Sequence, residues 1–310
     1  MRAVRNTADG VEVFDAPEPD GADEVLAIRS ASICGSDFGY MQLGVPFVLG
    51  HELAGILPDG SPVAVEAIFP CGECDQCRAG TYNRCRHASD RVPGFSIDGG
   101  MADYFALPAG RAVPLPTGLD VRDASLVEPA AVAWHGVRTG GASAETRVGV
   151  VGGGSIGLMA VAAARAMGAP DVGLVARHAR QIEAGERLGA SEAGAEYDVV
   201  IEAAGTESSL AQAVELAAPG GTVIVLGVFG ELLPVPFIPA FMKEVNVLGS
   251  MAYCRYGARR DVDDAAAMLA SDPEIIRTLV THRFPLDDAA EAFRVAADRR
   301  GGAIKVIVEP

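Results

Sequence analysis

Between Thr146 and Ala169 the chain runs TRVGVVGGGSIGLMAVAAARAMGA. An apolar, β-branched run ends in glycines, and an alanine-rich helical segment follows at once. Gly152, Gly154 and Gly157 form G-x-G-x-x-G, with Ser155 and Ile156 completing the turn. After a strand and at the head of a helix, that spacing lets backbone approach a pyrophosphate held at the helix N-terminus. Further on, DVGLVAR, YDVVIEAAG, GGTVIVLG and EVNVLGSM supply buried, β-branched runs. Helical stretches separate the first four strands of the series, which predicts a parallel sheet of βαβ units.

The residue closing the second of these strands reads the adenosine ribose. An Asp or Glu there accepts from a 2′-hydroxyl, but VGLVARHAR places Ala176 at that point, followed by Arg177, His178 and Arg180. No carboxylate is available to repel a phosphate, and a guanidinium can bond one bidentately. Positive charge at a helix start is mildly unfavourable without an anion. The reading is a preference for NADP.

Outward from this core the texture differs. The front holds short apolar runs, VEVF, EVLAIRSASI, SPVAVEAI and ADYFALP, broken by Gly, Pro and Asp, which predicts an irregular β domain. VRDASLVEPAAVAWHGVRTGG then reads as an amphipathic helix. After Arg260 two helical segments flank strand-like IIRTLVTHRFP, and the chain closes on AIKVIVEP. With 310 residues, 49% hydrophobic and 21% charged, there is material for two domains. The net charge of −16 has no basic run to offset it, which excludes nucleic acid and anionic membranes as partners. No run approaches the roughly 20 apolar residues of a membrane span, and the start lacks an apolar leader, so a cytoplasmic location is expected.

In a reducing compartment clustered cysteines more often mean metal than disulfides. Four of the six cysteines, Cys71, Cys74, Cys77 and Cys85, lie in CGECDQCRAGTYNRC at C-x2-C-x2-C-x7-C. Close pairs let tight turns present sulfurs to a tetrahedral ion, whereas a redox dithiol needs one C-x-x-C at a strand-to-helix turn. Structural zinc is the favoured reading. Four filled positions leave none for a substrate, so chemistry belongs elsewhere. CGSD (34–37), GHE (50–52) and VEP (127–129) bring a thiolate, an imidazole and carboxylates. Such a mixed set suits a zinc ion with an open position. Taken singly, Cys34 fits a small buried residue and His51 a bonded loop residue.

With CGSD, GHE, the four-cysteine loop, VEP, the glycine turn, THRFPLDDAAEAF and IKVIVEP in this order, the sequence resembles zinc-dependent medium-chain dehydrogenase/reductases, nearest the sorbitol, threonine and glucose dehydrogenase branch. The resemblance spans nearly the whole chain. It implies a GroES-like catalytic domain at 1–140 carrying the zinc lobe, a Rossmann domain at 141–258, a return to the catalytic domain at 259–310, and an active site in the cleft between the two domains. It further implies catalytic zinc on Cys34 and His51, with Glu52 and Glu128 as candidates for the remaining coordination, directly or through water, and Asp37 orienting His51. Ser36 matches the hydroxyl that passes on the alcohol proton, and Tyr40 a residue lining the substrate cleft. Gly39 stands where many relatives carry a histidine. A homodimer or homotetramer is the family expectation.

Two stretches are short for the family. Only 12 residues, Ser191 to Glu202, lead from the ERLGA segment through YDVVIE, so the adenosine side of the sheet should be cut down, and only 16 separate Cys34 from His51. His87, His135 and His282 fit no ligand spacing, and Cys254 reads as a buried thiol outside both sets. The expected activity is an NADP-dependent zinc dehydrogenase acting on a secondary alcohol, polyol or sugar-like substrate. A zinc-free enone or quinone reductase and a silent binding protein on the same fold are the alternatives.

Overall fold

The computed structural model describes residues 1–20, 24–230, 234–298 and 300–310. The chain divides into two compact units: residues 1–128, 254–271 and 280–310 form the first, and 129–253 with 272–279 the second.

The first unit is built on a seven-stranded sheet. Its strand order is Val280–Pro285, Lys305–Glu309, Glu24–Ser32, Glu52–Ile56, Pro62–Val65 and Ala112–Pro114, with Tyr104–Leu107 also pairing onto Glu24–Ser32. Tyr104–Leu107 alternates exposed and buried residues, the period of a strand with one face on the core. Leu26, Ile28, Leu53, Val63, Val65, Phe105, Val306 and Val308 fill that core. The last strand reaches across the sequence to pair antiparallel with the front, Ile307 opposite Ser32 and Val308 opposite Ala31. Glu52–Ile56 and Pro62–Val65 form an antiparallel pair joined by a short turn.

The second unit is a parallel sheet of six strands. In spatial order they are Ser191–Glu192, Val172–Val175, Val148–Val151, Tyr197–Glu202, Ala217–Val225 and Asn246–Gly249. Numbered along the chain this is 3-2-1-4-5-6, the doubly wound dinucleotide-binding order. The shortened adenosine side is visible as the two-residue strand Ser191–Glu192 on the outer edge. Val148–Val151 is buried throughout, as expected of a strand covered on both faces.

Two local expectations are corrected. The front half of IIRTLVTHRFP is the helix Pro273–Leu279, and only Val280–Pro285 is strand. Asp272 accepts from the Glu274 backbone N–H at 3.0 Å, and Pro273 suits a first helical turn, so capping overrides the β-branched pattern. Asn246–Gly249 is a strand as expected, but all four of its residues are exposed because it forms the sheet's outer edge. Among the described residues no helix is long and apolar enough to cross a membrane.

Candidate functional site

Cys34 precedes the helix Gly35–Gln42, and its N–H donates to Asp37 Oδ2 at 2.9 Å. Asp37 is fully buried, and its other oxygen lies 3.4 Å from His51 Nδ1. One carboxylate therefore orients both the cysteine and the imidazole. An Nδ1–H facing Asp37 leaves the Nε2 lone pair available, the arrangement of a metal-binding histidine. Ser36 Oγ lies 3.4 Å from that Nε2. Gly50 adopts φ +96°, and a Cβ there would come within 3.0 Å of Met101, so the turn presenting His51 requires glycine.

Ligand atoms of Cys34, His51 and Glu52 lie within 4.8 Å of one another. Burial opposes protonation of His51, but the charges of Cys34 and Asp37 outweigh it and raise its pKa well above the ordinary range. Anions that hold a proton on the ring also favour a metal cation beside it, whose binding releases that proton. The donor set thus fits a zinc ion.

Glu52 is fully buried and already engaged. Lys305 Nζ donates to its two oxygens at 2.8 and 2.7 Å, and Ser32 Oγ also donates to it. Lys305 bonds the Ile33 carbonyl as well, at 3.1 Å. Burial lowers the pKa of Lys305, but Glu52, Cys34 and Glu128 raise it to a net upward shift, so the lysine is charged. The lysine neutralises the buried carboxylate, so the pair adds no net charge to the anionic pocket. Glu128 is buried too, but lies outside the group of three. Sequence reasoning missed Lys305 and Ser32. Lysine occurs only at 243 and 305 in a chain with 25 basic residues, and one of the two sits inside an apolar closing strand.

Tyr40 packs on Phe95 with ring centroids 4.9 Å apart, and its ring lies 6.0 Å from that of His51. Burial raises the Tyr40 phenol pKa. Phe95, also missed, lacked any motif to mark it. A Cβ on Gly39 would meet nothing within 4 Å, so packing does not dictate glycine at this position.

The four cysteines form a separate cluster. Sulfurs of Cys71 and Cys77 are 3.8 Å apart, Cys74 and Cys77 3.4 Å, and Cys74 and Cys85 3.9 Å. Four sulfurs about 2.3 Å from one zinc sit about 3.8 Å from each other, so the spacing fits the ion. N–H groups of Cys71 and His87 point at Cys85, and that of Cys74 at Cys71. Backbone N–H groups of Arg86 and Cys77 pull the Cys74 thiol down to about 6, while burial pushes Cys77 up to about 12. Thiolates this close repel one another, and a cation among them would offset that repulsion. The lobe is tied to the sheet by Tyr82, whose hydroxyl donates to the fully buried Glu66. Arg111 and Arg260 also bond Glu66, at 3.0 and 3.2 Å.

In the second unit the three glycines divide the work. Gly152 has φ +119°, and a Cβ on it would come within 3.0 Å of the Ala203 and Ala204 backbone. A Cβ on Gly157 would lie 1.8 Å from the Gly152 carbonyl, which forces close helix–strand packing. Gly154 is open, with nothing within 4 Å, at the N-cap of the helix Ser155–Ala166. That open N-terminus is where a pyrophosphate can approach. Ala176 follows the second strand, against Gly153, and Arg177, His178 and Arg180 are exposed. Arg177 Nη2 donates to Ser208 Oγ at 3.0 Å, and Ser208 lies 3.2 Å from Thr206 Oγ1. These hydroxyls come from the start of the helix Glu207–Leu216, which follows a different strand, and spacing within one βα unit does not reveal them.

Comparison with known proteins agrees with this geometry. The alcohol dehydrogenase GroES-like domain family matches residues 21–117, and the zinc-binding dehydrogenase family residues 191–271. Sorbitol dehydrogenase of Bos taurus is 30% identical over 96% of this chain and 92% of its own. A structure from Sinorhizobium meliloti 1021, described as a zinc-binding dehydrogenase bound to NADP, superposes with TM-score 0.88 at 31% identity, covering 100% of this chain and 99% of the other. Galactitol-1-phosphate dehydrogenase of Escherichia coli gives TM-score 0.89 at 27% identity, covering both chains fully. Two donor groups with the make-up of zinc sites, a 3-2-1-4-5-6 sheet with its glycine turn, and relatives matched from end to end lead to one assignment: the chain belongs to the zinc-dependent medium-chain alcohol dehydrogenase superfamily.

Proposed function

We propose that the protein transfers hydride between NADP(H) and a polyol or sugar-like secondary alcohol and its ketone. The observation that carries this reading is the pairing of an open donor group, Cys34, His51 and Glu52, with a closed set of four thiols in the same unit. Relatives named for sorbitol and galactitol 1-phosphate support the substrate class. In this reading Cys34 and His51 hold a catalytic zinc, Glu52 and Glu128 supply or tune the remaining coordination, and Cys71, Cys74, Cys77 and Cys85 hold a structural one. When bound, zinc polarises the substrate oxygen and the nicotinamide accepts hydride. Ser36 passes the hydroxyl proton on, accepting it at Oγ as its own proton leaves toward solvent, Asp37 fixes the His51 ring, and Tyr40 with Phe95 walls the substrate. The turn of Gly152, Gly154, Ser155, Ile156 and Gly157 cradles the pyrophosphate. Activity on a panel of polyols, followed by absorbance of reduced nicotinamide with NADP and with NAD, tests the assignment. No turnover of any secondary alcohol by zinc-replete protein would sink it.

The preference for NADP rests on Ala176 in place of a carboxylate and on the exposed cations Arg177, His178 and Arg180 beside it. Arg177, held by Ser208, is the principal contact to the 2′-phosphate. Arg177→Ala is expected to weaken NADP binding by roughly 10- to 100-fold, the scale of a charge-assisted hydrogen bond, and to leave NAD within about threefold. Equal loss for both cofactors in a titration, or tighter NAD binding by the unmodified protein, overturns this.

A second copy of the chain is the proposed partner. Among the described residues Asn246–Gly249 leaves one edge of the sheet unpaired, and beside it in sequence the helix Phe237–Met242 exposes Phe237 (68%), Ile238 (75%), Phe241 (67%) and Met242 (74%). An apolar open edge of this kind is covered by strand pairing. Leu248→Lys should convert a dimer to monomer in sedimentation velocity. A monomeric unmodified protein removes the proposal. Cysteine thiols proposed as ligands of two zinc ions suit a reducing, cytoplasmic setting.

A further inference from the structure

Glu202 ends the strand Tyr197–Glu202, next to Val148–Val151 at the point where the strand order of the sheet reverses. Its side chain is fully buried. Oε1 accepts three hydrogen bonds, from the N–H groups of Ala204 and Gly205, both at 2.8 Å, and from Ser209 Oγ at 2.6 Å. Among the described residues Oε2, which is buried, has no hydrogen-bond partner, and it lies where a Cβ on Gly227 would come within 2.4 Å. The Glu202 carbonyl accepts from Leu226 and Gly227 at 2.8 and 3.1 Å.

These contacts join three loops at the carboxyl ends of three adjacent strands. The 203–205 turn is bound by the carboxylate, and the Gly152 turn packs on its backbone at Ala203 and Ala204. The 226–228 segment closes from the other side, where a Cβ on Gly205 would lie 2.6 Å from the Val228 carbonyl. Burying a carboxylate with one oxygen unpartnered opposes folding. A turn needed only to change chain direction would be served by a neutral side chain. The carboxyl end of the sheet at its switch point is also where a dinucleotide lies.

We propose that Glu202 is a positioning residue for the dinucleotide: by bonding the 203–205 turn it sets the wall on which the Gly152 turn rests, and so fixes the backbone that faces the cofactor. The proposal rests on the dinucleotide-binding reading of this unit, whichever nicotinamide cofactor is preferred.

Dissociation constants for NADPH and NADH, from nicotinamide fluorescence, and thermal midpoints would be measured for the unmodified protein, Glu202→Ala, Glu202→Gln and Val214→Ala. Val214 is fully buried in the same hydrophobic cluster as the strand and contacts none of the three loops by hydrogen bond. Glu202→Ala is expected to weaken the preferred cofactor by about tenfold or more, the scale on which small misplacements of a built site are felt. In Glu202→Gln the amide oxygen accepts the same three donors, and affinity returns to within about threefold. Val214→Ala should lower the thermal midpoint yet bind within about threefold of the unmodified protein. Affinity unchanged in Glu202→Ala, or lost equally in Val214→Ala, overturns the proposal. Should Glu202→Ala not fold, Ser209→Ala removes one donor alone, and unchanged binding in that variant overturns it as well. Failure of the unmodified protein to bind either cofactor counts instead against the dinucleotide reading on which the proposal stands.

Discussion

Cys34→Ala is expected to lower turnover by about 10³-fold or more while the chain stays folded. That loss corresponds to the several kcal/mol a Lewis-acid ion contributes when charge develops on a substrate oxygen. Fold retention follows from the surroundings. Cys34 is half-buried at a helix start, and the strands on either side, Glu24–Ser32 and Glu52–Ile56, are held by sheet pairing and core packing that its sulfur does not enter. The thermal midpoint should move by no more than about 4 °C, and zinc content should fall by about one ion per chain. Normal turnover in this variant would remove Cys34 from the chemistry, and with it the catalytic reading of the whole group.

Cys74→Ala is expected to do the reverse. Cys74 lies within 3.4 Å of Cys77 and 3.9 Å of Cys85, so its loss opens the tetrahedron at one corner. Structural zinc sites in small peptides bind with roughly 10–16 kcal/mol, which is folding free energy for the segment that closes around the ion. Net stability of a whole domain is only about 5–15 kcal/mol, so even a fraction of that loss is decisive for the lobe. Its effects should spread through Tyr82, since a loosened lobe withdraws the hydroxyl that bonds Glu66 and leaves that buried carboxylate to Arg111 and Arg260 alone. The expected result is poor solubility or a thermal midpoint lowered by about 10 °C or more, with one zinc lost. A Cys74→Ala protein that is as stable as the unmodified chain would show that these thiols carry no structural metal.

Much of this was legible before any fold was known, because metal sites and dinucleotide turns are written in residues close together. The C-x2-C-x2-C-x7-C loop, the G-x-G-x-x-G turn and the order of β-branched runs each identified an element that the structure contains. The shortened adenosine side followed from counting Ser191 to Glu202. What stayed hidden depends on distant pairing. Lys305 meets Glu52 across 253 positions, and Arg260 meets Glu66 across 194. Neither partner advertises the other. Ser208 beside Arg177 and Phe95 beside Tyr40 are of the same kind. Ile275–Leu279 went astray for a local reason: its β-branched residues suit a strand, but Asp272 and Pro273 start a helix ahead of them.

The Lys305–Glu52 pair also bears on how the molecule is made. Cys34, His51 and Glu52 are made early, whereas Lys305 follows Glu52 by 253 positions. Until the strand Lys305–Glu309 docks beside Glu24–Ser32, the Glu52 carboxylate lacks the cation that balances it in the finished fold. Domains generally fold as units in the order of their synthesis, but here the front of the chain is electrostatically complete only once this late strand is in place. Before that strand docks, the pocket carries the Glu52 charge without its counter-ion and is more anionic than in the finished fold.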